Sequence, residues 1–454
     1  MIDADRKPNS IFAPLTGPQF SAPELPTYET LMDCIRCGRC LPACPTYQQT
    51  TLETFSPRGR LSLLRAVEDG LLELADPDVA AHLYHCLDCR ACNTVCPVGL
   101  PIGELIVEGR AAVAAHHPRP WLIRFALKHA LISPRRIQWF AWPVRLAQRL
   151  KLDRLGVALL GWIPKLGPTL QDLVQLAPTL PKPLWGELTK PLGSSETLTV
   201  SRYRVGYFLG CVMNVAFGDA SRATVQLLAK FDCETITPHD QRCCGTPQDD
   251  QGLKAVARLM AQRNIAAFER LGHLDAIVSD CAACSSFLKE YARVFRDDAA
   301  WAARAAQFAS KVRDITEWLD QIMPEERPAH VGVTKFVTYH EPCHLANAQG
   351  VRRQPQAVLA RLKSAGVETR ELADATRCCG SAGLYNLTHP ALSKELLDRK
   401  MADVAATGAS IVVSANPGCL LQLAWGAKRT GSEVKVKHVT QLVLETIEPR
   451  DADA

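Results

Sequence analysis

Eighteen cysteines punctuate the 454-residue chain, and their spacing repeats. Cys34-x2-Cys37-x2-Cys40-x3-Cys44-Pro45 recurs 52 residues later as Cys86-x2-Cys89-x2-Cys92-x3-Cys96-Pro97. A wider repeat follows. Its first copy is Cys211, Cys243-Cys244-Gly245 and Cys281-x2-Cys284. Its second is Cys343, Cys378-Cys379-Gly380 and Asn416-Pro417-Gly418-Cys419, at offsets of 132 (211 to 343), 135 (243 to 378) and 135 (284 to 419). Thiolates are soft ligands suited to zinc and to iron–sulfur clusters. Three cysteines spaced by two wrap one face of a cubane, and the fourth, before proline, reaches to the other cluster in two-cluster proteins. The spacing therefore predicts two [4Fe–4S] clusters, one held by Cys34, Cys37, Cys40 and Cys96, the other by Cys86, Cys89, Cys92 and Cys44. Two zinc sites are the alternative, since Cys-x2-Cys pairs bind zinc. Zinc has no use for the third cysteine or for a Cys-Pro repeated twice.

The adjacent pairs ask for a different geometry. Two neighbouring cysteines do not easily face one small tetrahedral ion, but they can grip neighbouring irons of a cluster, and Gly245 and Gly380 allow close backbone approach. Cys211, Cys243, Cys244, Cys281 and Cys284 are thus the expected ligands of a third iron–sulfur cluster. The second copy keeps Cys343, Cys378, Cys379 and Cys419 but has Asn416 where the first has Cys281. A cluster, another metal or a redox-active thiol pair all fit it. Cys284 and Cys419 are placed where a strand turns into a helix, whose N-terminal N–H groups favour thiolate. Cys233 fits neither pattern and reads as a small core residue. His340 and His344 flank Cys343, and His239 precedes the first cysteine pair; each is a ligand or proton-relay candidate beside the plainer reading of a hydrogen-bonded structural histidine.

Elements must position these thiols. Pro57-Arg58-Gly59-Arg60 leads into Leu61, Leu63, Leu64, Val67 and Leu71, a helical pattern that proline opens. A second helix is predicted from Ile102 to about Ala115. In the C-terminal half, strand-like runs at 204–209, 276–279, 336–339 and 410–414 alternate with helical patterns such as 252–271 and 393–406. Such alternation implies parallel sheets. The expected fold class is α+β multidomain: a helical two-[4Fe–4S] domain over 25–117, a Trp/Arg/Pro-rich helical linker over 118–200, and a pseudo-symmetric pair of α/β Cys-Cys-Gly domains over 201–330 and 331–446. The linker holds Trp121, Trp139, Trp142, Trp162 and Trp185, and between Arg119 and Lys165 carries ten Lys or Arg against one acid, Asp153. Pro118, Pro120, Pro134, Pro143, Pro164 and Pro168 are expected to break it into short helices. Membrane-interface anchoring, packing on partner subunits and an ordinary crossover all suit this composition.

The remaining composition narrows the function. With 47% hydrophobic and 22% charged residues the chain is neither disordered nor fibrous. A net charge of +5 gives no sign of nucleic-acid binding. Met1-Ile-Asp-Ala-Asp-Arg-Lys lacks a secretory pattern, and the clearest apolar run, Leu155 to Ile163, is far short of the roughly 17–25 residues of a membrane span. So many cysteines in that setting indicate cytoplasmic metal or redox chemistry, not a disulfide framework. No dinucleotide fingerprint, Walker loop, His-Glu-x-x-His or Gly-x-Ser-x-Gly is present. No flavin or nicotinamide is therefore expected on this chain.

The two cysteine motifs, the Pro57-Arg58-Gly59-Arg60 run, the block from Cys378 through Cys-Gly-Ser-Ala-Gly-Leu-Tyr-Asn-Leu-Thr-His to Pro390, and the Asn416-x-Gly418-Cys419 ending resemble the iron–sulfur subunit of glycolate dehydrogenase (glycolate oxidase) over residues 28–445. The wider family joins a two-[4Fe–4S] ferredoxin domain to Cys-Cys-Gly domains. It includes the C subunit of anaerobic glycerol-3-phosphate dehydrogenase and heterodisulfide reductase, whose repeats hold non-cubane clusters. The resemblance implies that an FAD-binding dehydrogenase subunit and a companion flavoprotein oxidise glycolate to glyoxylate. This chain would pass the electrons singly to an acceptor such as quinone, at the inner face of the cytoplasmic membrane. Arg58 and Arg60 would shape the cluster surroundings or serve only the helix start. Lactate or glycerol-3-phosphate oxidation, thiol/disulfide (heterodisulfide) reduction at the Cys-Cys-Gly cluster, and a zinc scaffold are the rival readings.

Overall fold

Proline at the first helical turn has no N–H to leave unpaired, and this chain uses it repeatedly to start helices. The computed structural model describes residues 28–152, 180–188, 201–325 and 334–447. It divides into two compact units, Met1–Arg124 with Pro247–Ala255, and Phe125–Thr246 with Val256–Ala454. The apolar run at 155–163, Trp162, Pro164 and Pro168 lie outside the described residues.

In the first unit, helices Pro45–Thr50, Pro57–Glu68 and Pro77–Tyr84 each open on proline, and Ile102–Val113 follows. Ser56 caps the second of these by accepting from Gly59 N–H, and Asp76 caps the third through Asp78 N–H. Leu61, Leu64 and Val67 pack against Leu83, Leu105, Ile106 and Val113. Leu71 falls outside the expected helix, which stops at Glu68; Gly70, at φ +69°, turns the chain away just beyond it. The second helix ends at Val113, close to its expected limit.

The second unit carries two four-stranded parallel sheets. The first has strands β1 (Tyr203–Tyr207), β2 (Cys233–Ile236), β3 (Ala276–Ser279) and β4 (Val312–Asp314) in the order β2-β1-β3-β4. The second repeats it with β5 (Lys335–Tyr339), β6 (Val367–Thr369), β7 (Ile411–Ser414) and β8 (Lys435–His438), ordered β6-β5-β7-β8. Registers correspond: Val205 faces Ala276 and Val337 faces Ile411. All four residues of β3 and of β7 are buried, as expected of central parallel strands. One apolar cluster runs through both sheets, joining Val205 and Val278 to Val337 and Val413. Buried polar contacts cross as well, with Thr224 Oγ1 and Thr440 Oγ1 3.1 Å apart and His438 Nε2 2.9 Å from Asp280 O. The helices at 254–269 and 390–406 sit between strands. In the linker, Pro134 opens a 16-residue helix, Pro134–Arg149, capped by Ser133. Pro143 lies inside that helix instead of breaking it; an exposed proline there forgoes one backbone bond while the turns on either side persist.

β4 ends on Asp314, which caps helix Ile315–Ile322 in a capping box with Glu317. Burial pushes its carboxyl from the ordinary 3.8 up to about 7. A raised folded-state value means that the stability present below about pH 4 is lost as the pH climbs to about 7. Asp314→Asn, which can still cap, should flatten that slope. Relative to wild type it should gain roughly 2–3 kcal/mol between pH 5 and 8 in denaturant unfolding; an unchanged difference across that range would refute the assignment.

Candidate metal centres

In the first unit, Cys34, Cys37, Cys40 and Cys96 line one small cavity, and Cys44, Cys86, Cys89 and Cys92 line another. Each set takes three thiols from one motif and the Cys-Pro thiol from the other. The loops that carry them share a backbone device. Arg36 and Asp88 have φ +56° and +48°, and Gly38 and Arg90 have +82° and +58°. These are equivalent positions of the two motifs. Left-handed residues between the cysteines turn successive N–H groups inward, as in an anion-binding nest. Asp88 N–H, for example, lies 3.4 Å from Cys86 Sγ. Arg90, strained for a residue with a side chain, is held by ion pairs to Asp88 and Glu104.

The Arg-Gly-Arg run divides its work between the cavities. Arg58 lines the first and donates to Arg36 O at 3.0 Å, while Glu53 holds its guanidinium. Arg60 lines the second, is 1% exposed, and donates to His82 O and Thr46 Oγ1. Thr46 in turn is 3.2 Å from Cys44 Sγ. No carboxylate pairs with Arg60 among the described residues. Burial pushes the thiols of Cys40, Cys86 and Cys92 up. A buried cation without a carboxylate, set among four thiols, is matched by thiolates around a metal centre and by little else. The four-thiol donor sets fit an iron–sulfur cluster in each cavity, and at the second Arg60 adds a countercharge that no carboxylate among the described residues neutralises. Arg110, also buried, donates to Leu83 O and Cys86 O and pairs with Asp250.

In the second unit the cysteines gather beyond the carboxyl ends of the strands. Sheet order reverses between β1 and β3, the switch point where open parallel sheets bind ligands. Cys211 follows β1, Cys243 and Cys244 follow β2, and Cys281 and Cys284 follow β3. Their sulfurs form a row of contacts, Cys211 to Cys243 to Cys244 to Cys284 to Cys281. Contacts from Cys243 and Cys284 hold the Cys244 thiol well below its usual range. Gln241 pins the loop to the end of β1, accepting from Leu209 N–H at 3.1 Å and donating to Leu209 O. Asn264 Nδ2 donates to Cys243 O, and Tyr291 Oη donates to Cys244 O at 2.6 Å. With their backbone groups satisfied, the loops leave the thiols free to face one another. Nothing in the cysteine spacing points to Gln241, Asn264 or Tyr291; they are buried polar residues without a motif of their own.

The second copy brings together Cys343, Cys378, Cys379 and Cys419 in a shorter row. Gly245 and Gly380 both lie at positive φ, +105° and +84°, and a Cβ on Gly380 would stand 2.6 Å from Ser393 O. Asn416 occupies the helix cap that Cys281 holds in the first copy. Its Oδ1 accepts from Ala283 N–H at 3.2 Å and lies 3.7 Å from Cys281 Sγ, while its Nδ2 lies 3.4 Å from Cys419 Sγ. His340 is fully buried beside Cys379 and Cys419, and burial, then the Lys400 charge, keeps its imidazole neutral. His344 Nδ1 is 3.6 Å from Cys343 Sγ. His239 is instead half-exposed against Trp185 and Arg135, and Cys233 sits in the core on β2, its thiol pushed up to about 11 by burial.

Two family comparisons match this division of the chain. A 4Fe-4S dicluster domain covers residues 30–100, and a cysteine-rich domain with the Cys-Cys-Gly signature covers 205–289 and again 337–424. The class is thus an iron–sulfur protein with two cysteine-rich repeats. Over 422 residues, 91% of this chain and 94% of the relative, it is 36% identical to the "Probable glycolate oxidase iron-sulfur subunit" of Bacillus subtilis (strain 168). It is 30% identical over 423 residues, 92% and 94% of the two chains, to the "Glycolate oxidase iron-sulfur subunit" of Escherichia coli (strain K12). "Lactate utilization protein A" of Geobacillus sp. (strain WCH70) matches at 30% over 240 residues, 53% of this chain and 98% of that protein. The chain belongs to the glycolate oxidase iron–sulfur subunit family.

Gln241→Ala would leave the buried N–H and C=O of Leu209 unpaired. Unfolding free energy should fall by roughly 2–4 kcal/mol, measured by denaturant titration; a loss below about 0.5 kcal/mol would show that the loop is held otherwise.

Proposed function

We propose that the chain is the electron-transfer subunit of a glycolate dehydrogenase complex, taking electrons from a flavin-bearing partner and delivering them to an acceptor such as quinone. The observation that carries this reading is the pair of four-thiol cavities, each built from both motifs and each supplied with a buried or ordered arginine. Iron–sulfur clusters, when bound, supply one-electron carriers between a two-electron flavin and its acceptor. Cys34, Cys37, Cys40 and Cys96 would hold one, Cys86, Cys89, Cys92 and Cys44 a second, and the five-thiol row ending at Cys281 a third. The chain's own residues set the conditions. Arg60 and Arg110 offset negative charge at the second cavity, the left-handed loops present N–H groups to sulfur, and apolar side chains such as Ile102 and Ile106 keep water out. Substrate oxidation is assigned to the partner, since this chain carries no recognisable dinucleotide-binding sequence.

A surface beside the first Cys-Cys-Gly site supports delivery at a membrane. Asn214, three residues after Cys211, donates to Pro134 O and accepts from Leu184 and Trp185 N–H, and Cys243 N–H donates to Ile132 O. These bonds fasten helix Pro134–Arg149 next to the thiols. Its Trp139, Trp142, Leu146 and the following Leu150 are 77%, 60%, 40% and 60% exposed, one stripe at helical spacing. Arg135, Arg136, Arg145 and Arg149 accompany them with no acid in the helix. Aromatic rings and cations without acids are what an interfacial helix presents to lipid. No helix among the described residues is long and apolar enough to cross a membrane.

Three measurements test the reading. Dye reduction by the co-purified complex should be faster with glycolate than with D-lactate or glycerol-3-phosphate. Preference for lactate would instead favour the function named in the shorter relatives, and failure with all three would overturn the assignment. Cys96→Ser should alter the same reduced-cluster EPR signal as Cys34→Ser, and Cys44→Ser the same signal as Cys86→Ser; Cys96→Ser altering the Cys86→Ser signal instead would refute the crossed ligand sets. The chain should co-sediment with anionic vesicles, and W139A/W142A should weaken that binding at least fivefold. Vesicle binding unaffected by these changes would remove the helix from the interface.

A further inference from the structure

We propose that the second Cys-Cys-Gly site is a mononuclear zinc site, with the His340 imidazole and the Cys379 and Cys419 thiolates as its protein ligands. The two repeats differ at two places that compensate each other. Phe208 and His340 are equivalent: Phe208 N–H donates to Val278 O at 2.8 Å, and His340 N–H donates to Val413 O at 2.9 Å, each just past the first strand of its sheet. The first repeat has Cys281 and an apolar Phe208 ring stacked on Phe268. The second has Asn416 in place of the cysteine and an imidazole in place of the phenyl ring. A donor has been lost at one position and gained at the other.

The geometry separates one ion from a cluster. The ligand atoms of His340, Cys379 and Cys419 all lie within 4.8 Å of one another, the one such convergence of metal-ligand groups among the described residues. With Zn–S near 2.3 Å and Zn–N near 2.0 Å, a tetrahedral ion places its donors roughly 3.5–3.8 Å apart, so the triangle needs little movement to close. Both repeats line up sulfurs, five in the first and four in the second, but only in the second does an imidazole meet the end of the row, where His340 joins Cys379 and Cys419. His340 Nδ1 is buried and has no hydrogen-bond partner, a costly state for a polar atom that a metal bond relieves. Two thiolates and a neutral imidazole would leave the site with Zn²⁺ uncharged, which suits the buried location of all three residues. Soft sulfur with imidazole is a zinc donor set, and three protein ligands leave the fourth tetrahedral position open.

The inference is independent of the substrate assignment, and its test needs no activity. Zinc and iron would be counted per full-length chain by mass spectrometry after anaerobic purification. Wild type should carry about one zinc beside its iron. His340→Phe installs the ring that the first repeat uses at this place; it should lose at least tenfold in zinc while keeping its iron and its thermal unfolding midpoint. His340→Cys should keep zinc. Absence of zinc from wild type, or zinc retained in H340F, overturns the proposal, and so does loss of iron instead of zinc, which would put the imidazole on an iron centre. If H340F proves insoluble, cobalt-substituted wild type and H340C decide: the thiolate-to-cobalt absorption should grow with the added sulfur, and identical spectra would refute ligation by His340.

Discussion

Burying thiolates is the constraint that shapes this protein. A thiol in an apolar setting resists ionisation, and burial pushes Cys86 and Cys92 in that direction. To make them ligands, the fold must supply positive charge and N–H groups where water is absent. It does so with Arg60 and Arg110, both nearly inaccessible, and with left-handed turns between the cysteines of each motif. Each device has its own cost. The arginines lose hydration, Arg90 adopts a backbone that side chains disfavour, and the acids Asp88, Glu104 and Asp250 are committed to fixing them. The stability of this unit is thereby tied to what the thiols hold.

The second unit solves the same problem by topology. Parallel strands bring their carboxyl ends to one edge of the sheet, and the reversal of strand order opens a crevice there. Three successive strands deliver one, two and then two thiols into it. Duplication of the whole sheet delivers a second set, and the shared apolar cluster joins the copies into one core. Strand order and register correspond between the copies, while the loops past the strand ends carry the differences at the sites, Phe208 against His340 and Cys281 against Asn416.

What the sequence reveals follows from which signals are local. Cysteine spacing is local, and so are the apolar runs of the four central strands, so the sheet repeat and the motif pairs are legible. The edge strands are not. Val367–Thr369 has one buried residue of three, and Lys435–His438 alternates lysine with a single valine and a histidine on a half-covered edge. Neither carries a pattern long enough to separate strand from loop. The residues that tie the sites together are equally silent. Gln241 answers to a backbone 32 residues away, and Arg60 to a carbonyl 22 residues on. Leu71 misleads in the other direction: its position suits the helix period, but Gly70 has already redirected the chain. The same is true of the segment Pro247–Ala255, which lies within the first cysteine repeat yet belongs to the ferredoxin unit. No composition shift marks it.

Asn416 makes the two repeats interdependent. Standing where the first repeat has Cys281, it accepts from Ala283 N–H and lies against Cys281 in the other copy, while its amide nitrogen rests beside Cys419. The position that carries a thiol in one copy is, in the other, a strut shared by both halves. A cysteine placed at 416 would deprive the first repeat of an amide that the thiol cannot replace. The asymmetry works as a lock: because the repeats lean on the difference between them, no single substitution here makes them alike without loosening both.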